Sequence, residues 1–118
     1  MTASLTIDTE LDQPPVCVLY LSGELDYNTA PRLNQAIETA RASGCRHLIA
    51  DLTDLDFCSS SGITAFLAAR KALHAQGGTL ALAGLNARLD RIFRLTGLTR
   101  AFPIYPTAAD ARAAVPTT

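Results

Sequence analysis

The chain has 118 residues, 48% hydrophobic and 18% charged, with a formal net charge of −1. That balance describes one folded domain with its own core, expected to span residues 1–118, and excludes a disordered chain. The near-neutral charge offers no global field for nucleic acid or an anionic membrane, and no apolar run approaches the ~20 residues of a spanning helix.

Leu5, Ile7, Thr9 and Leu11 recur at period two and predict a half-buried strand. Asp12-Gln13-Pro14-Pro15 is a turn, since neither proline can donate to a ladder. Val16 to Leu21 is continuously apolar, as in a strand buried on both faces, and the two strands predict an antiparallel hairpin. Ser22-Gly23-Glu24-Leu25-Asp26 reads as a polar exit. Asn28 and Thr29 are candidate caps for a helix with Pro31 in its first turn. Leu33, Ala36, Ile37 and Ala40 mark one helical face, ended by Gly44.

His47 to Leu52 predicts the third strand. The next helix runs to about Gln76, with Ile63, Phe66, Leu67 and Leu73 as its apolar stripe and Gly77-Gly78 as its stop. Leu80 to Ala83 is a fourth strand. Asn86 caps a short helix bearing Leu89, Ile92 and Phe93, closed by Gly97. Phe102 to Tyr105 is a last strand, whose Pro103 marks a sheet edge. Thr107 with Asp110 resembles a capping box for a final alanine-rich helix.

The order is ββαβαβαβα. It predicts an α/β fold with a mixed, mostly parallel sheet of about five strands, an N-terminal antiparallel hairpin at an edge, right-handed crossovers and about four covering helices. Val18, Ile49, Ile63, Phe66, Leu67 and Leu82 are expected in the core.

Chemistry concentrates in Leu55-Asp56-Phe57-Cys58-Ser59-Ser60-Ser61-Gly62-Ile63. Three serines stand where a helix begins, where backbone N–H groups lack partners and the helix dipole is positive. One serine suffices as an N-cap; the run also suits a phosphate, bound or covalently attached. Gly62 costs roughly 1 kcal/mol against alanine in a helix. Its place in the first turn implies a close approach to the backbone by a packing neighbour or a partner. Glu24 and Asp26 lie at the C-terminal end of another strand, the edge where α/β sheets collect their sites. Asp54 and Asp56 read as solvated loop carboxylates.

Enzyme signatures are missing. The chain has no GxGxxG, no P-loop lysine and no GxSxG elbow. Asp51 ends a strand as a receiver-domain phospho-acceptor does, without the acidic pair that would hold magnesium. Cys17, Cys45 and Cys58 form no CxxC pair and are expected as three reduced thiols of a cytoplasmic protein, without a disulfide. Cys58 has no predicted histidine base beside it. With only His47 and His74, neither a metal site nor a cofactor is expected. The N-terminal Met1-Thr2-Ala3-Ser4-Leu5 lacks the features of a signal peptide.

Several pieces together resemble one family. Gly23-Glu24-Leu25-Asp26, Asp51-Leu52, Leu55-Asp56-Phe57, Ser60-Ser61-Gly62-Ile63 and Thr96-Gly97-Leu98 match, in order and spacing, a STAS domain of the bacterial anti-sigma factor antagonist type. The resemblance covers the whole length. It implies a non-enzymatic regulator whose unmodified form binds an anti-sigma factor and frees a sigma factor. That anti-sigma factor is a serine kinase, a phosphoserine phosphatase reverses its action, and no direct nucleic-acid contact or membrane insertion is implied. The acceptor position of the family's Asp-Ser-Ser/Thr-Gly motif matches Ser60, with Ser59 and Ser61 as fallbacks. Ser59 stands where the family carries aspartate. Glu24, Asp26, Asn28, Cys58, Ser59, Ser60, Ser61 and Gly62 are the implied partner-binding residues. The runner-up is a structural STAS subunit, not phosphorylated, that supports an ABC-type lipid transporter.

Overall fold

A computed structural model describes residues 4–115. Strands β1 (Leu5–Glu10) and β2 (Val16–Leu25) form the antiparallel hairpin, with Leu5 opposite Gly23 and Glu10 opposite Val18. Helix α1 (Ala30–Ala42) leads to β3 (His47–Cys58), α2 (Ser60–Ala75) to β4 (Thr79–Ala83), and α3 (Ala87–Leu95), with a 3-10 turn at Leu98–Arg100, to β5 (Ile104–Tyr105). Helix α4 (Ala108–Ala114) follows. The sheet order is β1-β2-β3-β4-β5, parallel from β2 onward, so β1 and the proline-preceded β5 are the edges.

The strand order explains the layering. Each crossover adds the next strand on the same side, and right-handed connections then drop successive helices onto one face. Leu33 and Ile37 of α1, Phe66 and Leu73 of α2, and Leu89 and Phe93 of α3 share a core with Cys17, Leu19, Leu48, Ala50, Leu80 and Leu82. Helix α4 follows the last strand and is free to take the other face. There Ala111 packs on Val16, Val18, Ile49, Ala81 and Ala83. Strands β2 and β3 are thus buried on both sides, as their unbroken apolar runs require.

Four expectations need correction. Leu67 is 39% exposed and Ile63 only partly buried. The buried line of α2 runs through Gly62, Ala65, Phe66, Ala69 and Leu73, and Leu67 falls outside it. Strands β2 and β3 extend to Leu25 and Cys58, past the predicted ends at Leu21 and Leu52. Thr29, rather than Asn28, occupies the cap position of α1. Finally, Cys17 and Cys45 are joined in a disulfide, with Cα atoms 5.9 Å apart, and only Cys58 is free. The two lie 28 residues apart in sequence. The β2-α1-β3 crossover returns Cys45 beside Cys17, a neighbourhood that linear spacing does not reveal.

Candidate functional site

The extended ends of β2 and β3 build the site. Along β3 the apolar residues Leu52, Leu55 and Cys58 are buried while the pairs between them, Thr53-Asp54 and Asp56-Phe57, are exposed. That period of three is incompatible with a regular strand. Two register shifts against β2 resolve it, between Tyr20 and Ser22 and between Gly23 and Glu24, each giving β3 one extra residue. Every extra residue returns the next apolar side chain to the core face. Gly23 has φ +105°, and a Cβ there would strike the Ser4 carbonyl, so the second shift depends on glycine. Asn86 completes the frame. Its Oδ1 accepts from Leu89 N at 2.9 Å to cap α3, and its Nδ2 donates to the Leu55 carbonyl at 3.0 Å.

The serine run lies where the sequence places it. Ser59 is the N-cap of α2, with extended backbone, and its Oγ accepts from Gly62 N at 3.4 Å. Its own N–H donates to the Leu25 carbonyl at 2.9 Å, tying the serine turn to the end of β2. Ser60 is the first helical residue and is exposed; Ser61 is half-buried. No acidic side chain occupies the first turn of this 16-residue helix, so its positive end is uncompensated.

Gly62 is explained by packing. A Cβ there would lie 2.8 Å from Leu25 Cγ and 2.9 Å from Cys58 Sγ. The close approach is therefore by the protein's own core, and α2 can seat against β2 only without a side chain at this position. Cys58 is buried, and with Gly62 it underlies the surface instead of forming it. Burial pushes the Cys58 thiol up to about 12, so it stays protonated at neutral pH and is a poor nucleophile. Neither histidine approaches it. His47 begins β3, eleven residues or roughly 36 Å of strand away. His74 sits in the last turn of α2, about 21 Å of helix beyond Ser60.

Beside the serine turn, Asp26 organises the loop before α1. Its Oδ1 accepts from Asn28 N at 2.9 Å and Thr29 N at 3.0 Å. The buried Thr29 accepts from Asp26 N at 2.9 Å and donates from Oγ1 to the Glu24 carbonyl at 2.9 Å. Glu24 and Asp26 are half-buried and Asn28 is exposed. This knot holds Tyr27 outward at 80% exposure, and Phe57, opposite Glu24, is 44% exposed. Sequence reasoning missed both aromatics as surface features. The Asp-x-x-Thr spacing of Asp26 and Thr29 was the available signal, since aspartate bonding its own backbone two or three residues on makes a fixed turn.

A mixed sheet whose strand ends carry a helix with an uncharged, serine-headed first turn beside a hydrogen-bonded acidic loop is the arrangement found here, and the chain belongs to the STAS domain family, which matches residues 8–111. Over 97 residues it is 31% identical to the anti-sigma F factor antagonist of Paenibacillus polymyxa, covering 81% of this chain and 83% of that protein. Its structure is similar to that of an anti-sigma factor antagonist from Mycobacterium paratuberculosis, with 36% identity, a TM-score of 0.84, and 95% and 94% of the two chains covered. It is also similar to the anti-sigma factor antagonist SpoIIAA in its unphosphorylated form, with 25% identity, a TM-score of 0.78, and 94% and 100% coverage. Among the described residues, no helix is long and apolar enough to cross a membrane.

Proposed function

We propose that this protein is a bacterial anti-sigma factor antagonist. Its unmodified form binds an anti-sigma factor with serine kinase activity, releasing a sigma factor. Phosphorylation of Ser60 ends that binding, and a phosphoserine phosphatase restores it. The observation that carries this reading is the exposed Ser60 hydroxyl at the first position of α2, beside the fixed Glu24–Asn28 loop. The names of the relatives support it.

The physics of the switch is local. Unmodified, the start of α2 is small and uncharged. Phosphoserine adds about 1.5 to 2 negative charges. The helix dipole favours that charge by about 0.3–1 kcal/mol. Burying it against a partner without a compensating cation costs several kcal/mol. With tenfold in affinity for every ~1.4 kcal/mol, the partner term dominates and no refolding of the antagonist is needed.

Ser60→Ala should bind the anti-sigma factor whether or not ATP is present. Ser60→Asp should bind more weakly, though less so than the phosphoprotein, because it carries a single charge. Binding of each variant to the purified kinase, with phosphosite mapping, checks this. A phosphate mapped to Ser59 or Ser61 would keep the switch and move its position. If ATP altered neither binding nor mass, the switch would fall and the transporter-subunit reading would lead.

A further inference from the structure

The ten cations of the chain are not evenly spread. Between Asn86 and Arg100 lie Arg88, Arg91, Arg94 and Arg100 against Asp90 alone, a local excess of three positive charges in a chain of net charge −1. Asp90 is engaged: its Oδ2 accepts from Arg94 Nε at 2.8 Å. Arg88, Arg91 and Arg100 are exposed and make no ion pair among the described residues. Helix α3 buries Leu89 and Phe93 against the core. Positions 88, 91 and 95 are spaced three and four apart, so they share its outer face. Leu95 on that face is 76% exposed.

This face is continuous with the serine-bearing edge of the sheet. Arg88 lines an open cleft with Asp56, Asn86 and Ala87. The Asn86 bond to Leu55 pins the start of α3 to the strand that leads into Ser60. A partner that covers the serine turn and extends along the sheet edge therefore meets Arg88 next, at the start of α3.

We propose that the outer face of α3, formed by Arg88, Arg91 and Leu95, docks an acidic patch on the same anti-sigma factor that covers Ser60. The inference rests on the function proposed above. Arginine is enriched at protein interfaces, and the exposed Leu95 adds an apolar contact beside it. Nucleic acid fits less well, because the exposed apolar Leu95 shares this face with the arginines and a phosphate backbone offers it no contact.

The test uses the full chain and the purified anti-sigma factors of its source organism. In Arg88→Glu/Arg91→Glu, association should slow by about tenfold or more at low salt, and the difference should shrink at high salt. Arg88→Lys/Arg91→Lys should keep most of the rate, and Leu95→Asp should raise the dissociation rate. Thermal melting confirms that each variant is folded; all three positions are exposed. If the wild-type chain binds and the reversed variant binds at the same rate with the same salt dependence, this face is not a docking surface, while the antagonist function stands. If the wild-type chain binds none of the anti-sigma factors, that function fails and this inference with it. Reversal-sensitive binding to a DNA duplex or an anionic phosphatidylglycerol vesicle, with partner binding unchanged, would overturn the assignment to a protein.

Discussion

Strands β2 and β3 run side by side for their whole length, yet their two ends are built differently. At the N-terminal end the register is regular, from Val16 opposite His47 to Tyr20 opposite Asp51. There the Pro15 carbonyl accepts from Arg46 N at 3.0 Å and His47 N at 2.9 Å, and the Cys17–Cys45 bridge lies alongside. At the C-terminal end the register shifts twice within a few residues. The paired strands outrun β4, which stops opposite Asp51, and side chains replace ladder bonds: Asn86 on Leu55, Thr29 on Glu24. One end is a closed staple and the other a shaped platform. A site needs side chains aimed outward from a firm base, and the bulges supply this by exposing two residues for each one buried.

The sharpest way to break the platform is to empty its floor. Leu25 is fully buried beneath Gly62, and Leu25→Ala should cost about 2–5 kcal/mol in denaturant unfolding. In that background Gly62→Ala should be milder than in the wild-type chain, because the two Leu25 atoms its Cβ would meet are gone and only Cys58 Sγ remains; a double-mutant cycle measures the coupling. Additive effects would mean that Gly62 does not sit on Leu25.

The staple is the next target. Cys45→Ala should lower stability by about 2–4 kcal/mol relative to the oxidised protein, while binding through Ser60 at the opposite end stays unchanged. Mass spectrometry of the denatured, unreduced protein should show one alkylated thiol, Cys58, and three after reduction. Three alkylated thiols before reduction would restore the expectation of a disulfide-free chain.

The smallest effect belongs to the cap. Ser59→Ala should cost about 1 kcal/mol, and the long 3.4 Å contact to Gly62 N places it at or below that figure. Ser59→Asp should cap at least as well and add a favourable charge near the start of α2. A cost well above 1 kcal/mol for the alanine variant would show that Ser59 holds more than the helix start.

The same contrast separates what the sequence determined from what tertiary structure decided. Element order, the edge position of β1, the caps at Asn86 and Thr107 and the serine run at the head of α2 were all legible. Each depends on periodicity or on hydrogen bonds spanning three or four residues, so local chemistry is sufficient. The platform was not legible. Leu52, Leu55 and Cys58 at intervals of three read as the end of a strand, because only the neighbouring β2 can absorb two extra residues as bulges. Gly62 left a packing neighbour and a partner equally open until Leu25 was seen beneath it. Cys17 and Cys45 became neighbours only through the crossover between β2 and β3. In each case the deciding contact joins residues far apart in the chain, and their proximity is a consequence of how the strands pair.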